Sequence, residues 1–305
     1  MGTKKWNIII FSLAVAALLA VLLFLCVPKA DDPEEDTADT SLESSAPIDE
    51  AQITCDVPIL MYHHLDPEES GAATVTVATF EAQIGALSEA GYTAITLEDL
   101  VSFVDSGTPL PEKPIVITFD DGYLSNYEYA LPILERYGMC ATVFVIGYSF
   151  GCDTYKDTGV PIIPHFGADE ALAMVNSGIF DVQSHTFDMH ASESIEGDGA
   201  RISVLPLEGE SREDYEAALR DDIRKSIALI EGVCGERVFA LAYPRGYYND
   251  VAQSILASEG IRVTLTTEEG VNTVVYGEPE SLYAMKRYSV DESMTPEVLL
   301  SKIGN

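Results

Sequence analysis

The sequence predicts an α/β fold built around a parallel sheet. Apolar runs rich in β-branched residues alternate with segments of helical pattern, which is the order expected of repeated strand–helix units. The number of these units favours a barrel. An open doubly wound sheet is the alternative, but no glycine-rich dinucleotide-binding fingerprint follows any predicted strand.

The predicted elements follow one another along residues 53–305. The strands are expected at Val57–Met61, Ile115–Phe119, Ala141–Ile146, Ile179–Gln183, Val238–Ala242 and Ile261–Thr266. The helices are expected at Phe80–Ala90, Leu97–Asp105, Asn126–Tyr137, Asp169–Ser177, Arg212–Gly232 and Asp250–Glu259. The longest helix begins with Ser211 and Asp214, whose spacing resembles that of a capping box.

Residues 1–30 are predicted to be a membrane anchor or a signal segment. Lys4 and Lys5 precede the uncharged run Ile8–Val27, which is long enough to span a bilayer with a cytoplasmic N-terminus. A cleaved signal peptide is the alternative, although Pro28-Lys29-Ala30 makes a poor cleavage site. We therefore expect a single-pass protein of the cell membrane with an extracytoplasmic catalytic domain, and a secreted protein as the alternative.

The charge of the chain is strongly acidic. Residues 31–50 contain nine acidic and no basic side chains, so residues 31–52 are predicted to be a disordered tether before a single domain at residues 53–305. The whole chain has 50 acidic and 17 basic residues, a formal net charge of −33. This charge argues against nucleic acid as a partner, because nucleic acid binding requires a basic surface.

Two neighbouring carboxylates follow one of the predicted strands. Asp120 and Asp121 come directly after the strand-like run Ile115–Phe119, and Gly122 permits a sharp turn. Adjacent carboxylates repel, and a like charge raises one pKa unless a cation neutralises the pair. The pair therefore indicates a metal or a shared proton, with an ordinary surface turn as the alternative.

Two histidines follow another predicted strand, in the stretch His185-Thr186-Phe187-Asp188-Met189-His190. They would point to opposite faces of a straight strand, so they converge only if the chain turns after His185. Two imidazoles and one carboxylate suit Zn, Co, Ni or Fe and leave positions open for water and substrate. Because each of these motifs follows a strand, we expect them at the carboxyl-terminal face of the barrel, where such folds carry active sites.

These motifs resemble those of the polysaccharide deacetylases, the NodB-like carbohydrate esterases of family four. Residues 118–122 are similar to the first family motif, residues 185–190 to the second and residues 242–249 to the third. The histidine spacing and the upstream Tyr62-His63-His64 are similar to the branch that contains poly-N-acetylglucosamine deacetylases. The resemblance extends over roughly Val57 to Ile303 and implies a distorted (β/α)7 barrel.

The resemblance also implies roles for the motif residues. Asp120 is expected to be the general base, and the ligands of a divalent metal, Zn with Co or Ni as alternatives, are expected to be Asp121, His185 and His190. The family's usual C-terminal histidine is missing, so the branch resemblance implies His63 as the general acid, with His64 as the weaker candidate.

The third motif departs from the family pattern. Ala242 stands where an arginine usually orients the base, so orientation must come from elsewhere. Arg245 stands where an aromatic residue is common, and its backbone N–H is implied as the oxyanion donor, a role that does not depend on the side chain. Tyr247, Tyr248 and His165 are predicted substrate contacts, with packing as the alternative.

Two further segments receive an interpretation. Met285–Tyr288 resembles a family strand that carries an arginine, and it is interpreted as scaffold. Ser192–Glu210 follows the second motif and is rich in glycine, serine and acidic residues. It is predicted to be a mobile surface loop, with a lid or a groove wall as the alternative.

The function implied by the resemblance is metal-dependent hydrolysis of N-acetyl groups on an extracellular or cell-wall polysaccharide of the N-acetylglucosamine type, releasing acetate. The acidic charge is interpreted as a source of solubility, with retention of a cationic, de-N-acetylated product as the alternative. Ala242 and the missing C-terminal histidine motivate an alternative, a catalytically silent glycan-binding member of the same fold. A glycosidase is a third hypothesis, which would leave the two histidines without a role.

Overall fold

The structure is a computed structural model that describes residues 53–304, all of which belong to one compact unit. Its strands are β1 (Thr54–Val57), β2 (Ile59–Tyr62), β3 (His64–Asp66), β4 (Thr74–Thr76), β5 (Thr93–Ala94), β6 (Pro114–Phe119), β7 (Ala141–Val145), β8 (Thr154–Tyr155), β9 (Val160–Pro161), β10 (Phe180–Ser184), β11 (Ala240–Ala242), β12 (Val263–Leu265), β13 (Asn272–Val275) and β14 (Tyr288–Ser289). Its α-helices are α1 (Val77–Glu89), α2 (Leu97–Ser106), α3 (Leu131–Tyr137), α4 (Ala168–Asn176), α5 (Glu193–Glu196), α6 (Arg212–Cys234), α7 (Asp250–Ser258) and α8 (Pro296–Ile303).

The main sheet is parallel and curled. Its order is β12-β11-β10-β7-β6-β2-β14, with β5 also paired to β6, and every one of these pairings is parallel. The segment Met285–Ser289 contains β14, which is one end of this order, where Tyr288 pairs with Leu60 of β2. The same segment also reaches the other end of the order, because Met285 pairs with Leu265 of β12. The predicted α/β class is confirmed, with the sheet forming a curled half-barrel.

Strand β6 shows how the sheet is packed and how it presents its site. Ile115, Ile117 and Phe119 belong to one apolar cluster, whereas Val116 belongs to a second cluster that includes residues of β11 and β12. Since successive side chains of a strand point to opposite faces, Asp120 continues the row of Val116 and Thr118. All six residues of β6 are buried, as expected of a parallel strand that is covered on both faces.

The predicted strands and helices all have counterparts in the structure, with shifted ends. The capping prediction for α6 is confirmed, because the Ser211 hydroxyl accepts the backbone N–H of Asp214 at 3.1 Å. The helix predicted at Asn126–Tyr137 differs, since its first part, Asn126–Ala130, is a π-helical turn that leads into α3. Several short elements were not predicted: the antiparallel pairs β1–β13 and β8–β9, the parallel pair β3–β4, and α5 and α8.

The predicted membrane segment and acidic tether, residues 1–52, lie outside the residues that the structure describes. Between Ile53 and Gly304, no helix is long and apolar enough to cross a bilayer. The cysteines of this part, Cys55, Cys140, Cys152 and Cys234, all have free thiols.

Candidate active site

The predicted site residues gather at one edge of the sheet because each follows a strand. His63 comes directly after β2, Asp120 after β6 and His185 after β10. The N–H of Asp120 donates to the carbonyl of Tyr62, and the N–H of His185 donates to the carbonyl of Val145, both at 2.9 Å. These bonds keep the two residues in register with the neighbouring strands at the carboxyl ends of the sheet.

Asp121, His185 and His190 form a group with the composition of a metal site. Oδ1 of Asp121 lies 3.6 Å from Nε2 of His185 and 3.8 Å from Nε2 of His190. One potential ligand atom from each residue lies within 4.8 Å of the others, and no second group of this kind occurs in residues 53–304. Oδ1 of Asp121 is buried without a hydrogen-bond partner, which fits an oxygen directed at a cation. One carboxylate and two imidazoles suit Zn or a neighbouring divalent metal.

The backbone and a hydrogen bond orient these three side chains. Nδ1 of His185 donates to the carbonyl of Ala242 at 2.8 Å, which leaves Nε2 to face Asp121. Burial lowers the pKa of His185 to about 4, so the neutral form that a ligand requires prevails at neutral pH. Asp121 and Thr186 both have left-handed backbones, with φ of 72° and 71°. The turn at Thr186 is the one that allows His190 to return beside His185.

The loop between the two histidines is anchored by Asp222 of α6, which sequence reasoning did not identify. Its carboxylate accepts the N–H groups of Phe187 and Asp188 at 2.8 and 2.7 Å. Burial raises the pKa of Asp222 to about 6, although these two bonds act in the opposite direction. The sequence does contain a signal for a buried Asp222, namely its position on the apolar stripe of α6. It lies three residues after Leu219 and four before Ser226, which are both buried.

Asp120 is held by a buried arginine from far along the chain. Nη1 and Nη2 of Arg287 donate to the two carboxylate oxygens, each at 2.7 Å. The same guanidinium donates to the carbonyl of Thr266 at 2.8 Å and to the hydroxyl of Thr118 at 3.2 Å. The side chain of Arg287 is 0% exposed and that of Asp120 is 3% exposed. Burial alone would raise the pKa of Asp120, but the charge and hydrogen bonds of Arg287, together with the neighbouring histidines, outweigh it and hold the pKa well below its usual range.

This contact corrects the interpretation of Met285–Tyr288 as scaffold. The segment follows β13 and pairs with β12 and β2, which places Arg287 inside the curled sheet, next to the carboxylate. Ala242 lacks the side chain that the family pattern uses to orient the base. In this chain the partner of Asp120 therefore comes from the last strand of the sheet.

His63 and His64 lie in different surroundings. The pKa values of Asp120 and Asp121 are both lowered although burial acts in the opposite direction, and His63 is one of the charges that lower both, so it lies near the two carboxylates. Nδ1 of His64 instead lies 2.9 Å from the hydroxyl of Ser125, and its Nε2 lies 3.9 Å from the carboxylate of Asp66. The structure therefore brings His63 to the Asp pair and His64 to a separate group.

A cleft of about 510 Å³ opens beside the metal-type group. Its wall combines Asp121 and His190 with apolar and aromatic side chains, as is common for small-molecule sites. His165 also lines this cleft and has a buried Nδ1 without a hydrogen-bond partner. Its ring packs against that of Tyr123, with centroids 4.8 Å apart and planes tilted by 33°.

The two tyrosines predicted to contact substrate lie elsewhere. Tyr247 and Tyr248 are 52% and 38% exposed and do not line the cleft. The ring of Tyr248 stacks on Tyr243, with centroids 4.9 Å apart and planes 11° apart. The packing alternative therefore describes Tyr248 in this structure, and substrate contact by either residue stays a prediction.

The start of the segment Ser192–Glu210 contributes to the wall of the cleft, so the groove-wall alternative applies to this part, and the rest of the segment stays a predicted surface loop. Ser192 and Ile195 line the cleft. Helix α5 lies within this segment and makes two ion pairs: Glu193 with Arg245 at 2.9 Å, and Glu196 with Lys156 at 2.5 Å.

The predicted oxyanion donor lies in a short 3-10 turn, Pro244–Gly246, one residue after the end of β11. Arg245 has φ 59° and its side chain lines the cleft. A backbone N–H can stabilise a developing oxyanion whatever the side chain is, so the Arg245 N–H stays the predicted donor. Gly246 is required beside it, because a Cβ there would lie 2.3 Å from Oγ1 of Thr267.

Known proteins share this sequence and this fold. The family model for polysaccharide deacetylase matches residues 107–264, more than half of the 305-residue chain. The protein YxkH of Bacillus subtilis (strain 168) is 29% identical over 239 residues, which cover 78% of this chain and 73% of that protein. The poly-beta-1,6-N-acetyl-D-glucosamine N-deacetylase of Staphylococcus epidermidis is 27% identical over 196 residues, 64% of this chain and 62% of that enzyme.

A crystal structure of a polysaccharide deacetylase from Bacillus cereus is also similar. It has a TM-score of 0.62 and 28% identity, covering 82% of this chain and 69% of that one. The family match contains the Asp pair, both predicted histidine ligands and Arg245, and it leaves out His63 and Arg287. The match over more than half of the sequence shows that the chain belongs to the polysaccharide deacetylase family of hydrolases.

Proposed function

We propose that this protein removes N-acetyl groups from an extracellular or cell-wall polysaccharide of the N-acetylglucosamine type and releases acetate in a metal-dependent reaction. The observation that carries the proposal is the position of a buried, ionised carboxylate, Asp120, beside the group Asp121–His185–His190. Similarity to a staphylococcal enzyme named for deacetylation of such a polymer supports the substrate class.

The group Asp121–His185–His190 would hold the divalent metal, Zn or alternatively Co or Ni. A bound cation supplies two effects, a lower pKa of water and polarisation of the acetyl carbonyl. The unpartnered Oδ1 of Asp121 and the neutral His185 are the features that prepare the site for a cation.

Different side chains around the group carry out the two proton transfers of the reaction. Asp120 accepts a proton from the attacking water, and Arg287 keeps that carboxylate ionised and fixed in direction. His63 donates a proton to the sugar nitrogen as the C–N bond breaks. The N–H of Arg245 donates to the acetyl oxygen while it gains negative charge.

One of the two observations that favoured a catalytically silent protein, Ala242, has another explanation. Ala242 favoured that alternative because the base then had no partner, whereas Asp120 is held by Arg287.

We also propose that residues 1–30 anchor the protein in the membrane, with the catalytic domain outside the cytoplasm. The run Ile8–Val27 and the preceding Lys4 and Lys5 support this proposal. Membrane fractions should contain the full-length chain, and external protease should reach the domain. Recovery from the medium of a mature form that begins near residue 31 would favour secretion instead.

The test of the proposed function is acetate release from defined oligomers. β-1,6-linked and β-1,4-linked N-acetylglucosamine oligomers and an acetylated xylan should be compared, before and after removal of divalent metal by a chelator. We expect release from an N-acetylglucosamine oligomer that is lost on chelation and restored by Zn. No release from any of these substrates by the metal-loaded protein, with intact folding, would contradict the proposal.

A further inference from the structure

A second cavity adjoins the cleft and has no role in the reaction described above. Its volume is about 330 Å³, and its wall includes His64, Asp66, Ser125, Glu128 and Ile163. Ile163 lines the cleft as well, so the two cavities share part of their walls.

A row of three adjacent rings joins the two cavities, and the planes of neighbouring rings are tilted by 55° and 33°. The ring of Tyr123 lies 5.3 Å from that of His64 and 4.8 Å from that of His165, measured between centroids. His64 lines the second cavity, whereas Tyr123 and His165 line the cleft. Ile163, which is 42% exposed, adds an apolar surface along the same border. Flat rings and exposed aliphatic side chains are suited to the apolar faces of sugar rings.

The polar part of the second cavity is acidic. Asp66 and Glu128 both line it, and its lining contains no lysine or arginine. Oδ1 of Asp66 accepts the N–H groups of Glu68 and Glu69 at 2.9 and 2.8 Å, which fixes the carboxylate. Glu128 is exposed on the π-helical turn Asn126–Ala130. A neutral sugar would leave these two carboxylates without a cationic partner, whereas an ammonium group would pair with them.

We propose that the second cavity binds a glucosamine unit, with its ammonium group, next to the acetylated unit in the cleft. This inference rests on the proposed function and narrows its substrate. The preferred substrate is a partly deacetylated chain, in which one product unit helps to position the next acetylated unit. Deacetylation would then proceed in clusters along a chain, because each reaction creates the cation that the second cavity selects.

The direct test is binding, measured by calorimetry on the metal-loaded protein. The ligands are a glucosamine pentamer and an N-acetylglucosamine pentamer of the same linkage, with spermidine as a non-sugar cation. Glu128→Gln removes one charge from the second cavity. Glu135→Gln is the matched control, because it removes a charge that is also exposed, from the following helix α3, at a position that does not line the cavity.

We expect Glu128→Gln to weaken binding of the glucosamine pentamer by about two- to five-fold, the scale of one exposed ion pair. The double variant Asp66→Asn/Glu128→Gln should lose about ten-fold, on the same scale for two pairs. Glu135→Gln should leave the affinity unchanged, and none of the variants should alter binding of the acetylated pentamer. Equal affinities in the Glu128→Gln and Glu135→Gln variants would overturn the inference, as would spermidine binding as strongly as the glucosamine pentamer.

Turnover separates this inference from the proposed function. A pentamer with a single glucosamine unit should release acetate with a higher kcat/KM than the fully acetylated pentamer, and Glu128→Gln should abolish that advantage. Absence of acetate release from both pentamers would remove the proposed function, while the binding result would still decide whether the second cavity recognises amino sugars. Normal release with no advantage for the mixed pentamer would remove only the inference about the second cavity.

Discussion

Replacing Arg287 with methionine should destabilise the folded protein at neutral pH far more than an ordinary arginine substitution. Methionine retains much of the apolar stem but removes the guanidinium that contacts both oxygens of Asp120 at 2.7 Å. With Arg287 0% exposed and Asp120 3% exposed, the substitution leaves a buried carboxylate without a counter-charge. Breaking such a buried pair costs about 3–5 kcal/mol. The measurement is the free energy of unfolding in urea at pH 7.

Arg262→Met is the matched control because it breaks a pair of the same geometry at the surface. Nη1 and Nη2 of Arg262 contact the two oxygens of Asp105, also at 2.7 Å each. The side chains of that pair are 30% and 42% exposed, so water replaces the lost contact. The expected loss is below about 1 kcal/mol. Equal losses for Arg287→Met and Arg262→Met at pH 7 would refute the reasoning.

The loss in Arg287→Met should also shrink at low pH. In the native protein the pKa of Asp120 is held below its unfolded value of about 4, so the pair stabilises the fold above that value and fails only as pH falls through the lowered pKa. Without Arg287, burial is no longer opposed by its charge, and the pKa of Asp120 should rise above the unfolded value. The carboxyl group then takes up a proton in acid, which relieves the uncompensated charge. The difference in unfolding free energy between the two proteins should therefore be smaller at pH 4 than at pH 8.

Three further substitutions test the roles in the site. His185→Ala should abolish stoichiometric metal binding, measured by metal analysis after dialysis, while the circular dichroism spectrum is retained; full metal content would show that His185 is not a ligand. Asp120→Asn should keep its metal and lose activity by about 10²-fold or more, the scale of general base catalysis; loss of the metal together with activity would make Asp120 a ligand. His63→Ala should retain metal and substrate binding, lose about 10²–10⁴-fold in turnover and change the alkaline side of the pH profile. His64→Ala is its control, and a large loss there with an active His63→Ala would exchange the two assignments.

The fold was largely predictable because its strands and helices carry strong local periodicity. Strand β6 is apolar on both faces and therefore reads as a buried parallel strand without any knowledge of its neighbours. The pair β1–β13 was not predictable in the same way. Its two four-residue strands, Thr54–Val57 and Asn272–Val275, are short, and their pairing depends on contacts across most of the domain.

In the candidate site, too, the residues of local motifs were predictable, whereas those positioned by long-range contacts were not. The metal-type residues belong to two local motifs, and the left-handed residue Thr186 lies in the turn that brings His190 beside His185. The partner of Asp120 could not be read from a motif, because Arg287 reaches it through the pairing of Met285 with β12 and of Tyr288 with β2. Asp222 was missed for a similar reason, since its acceptor role depends on how α6 packs against the loop at Phe187.

The position of Arg287 late in the sequence has a consequence for synthesis and folding. Arg287 lies 167 residues after Asp120, so during translation the carboxylate leaves the ribosome long before its partner is made. Such a long-range contact forms late, because the entropy of closing a long loop must be overcome first. A chain that ends before Arg287 would still contain Asp121, His185 and His190 and would lack the group that orients the base. Completion of the last strand is thus the step at which the buried carboxylate of Asp120 acquires its counter-charge, and a chain that ends before Arg287 would keep that carboxylate unpaired.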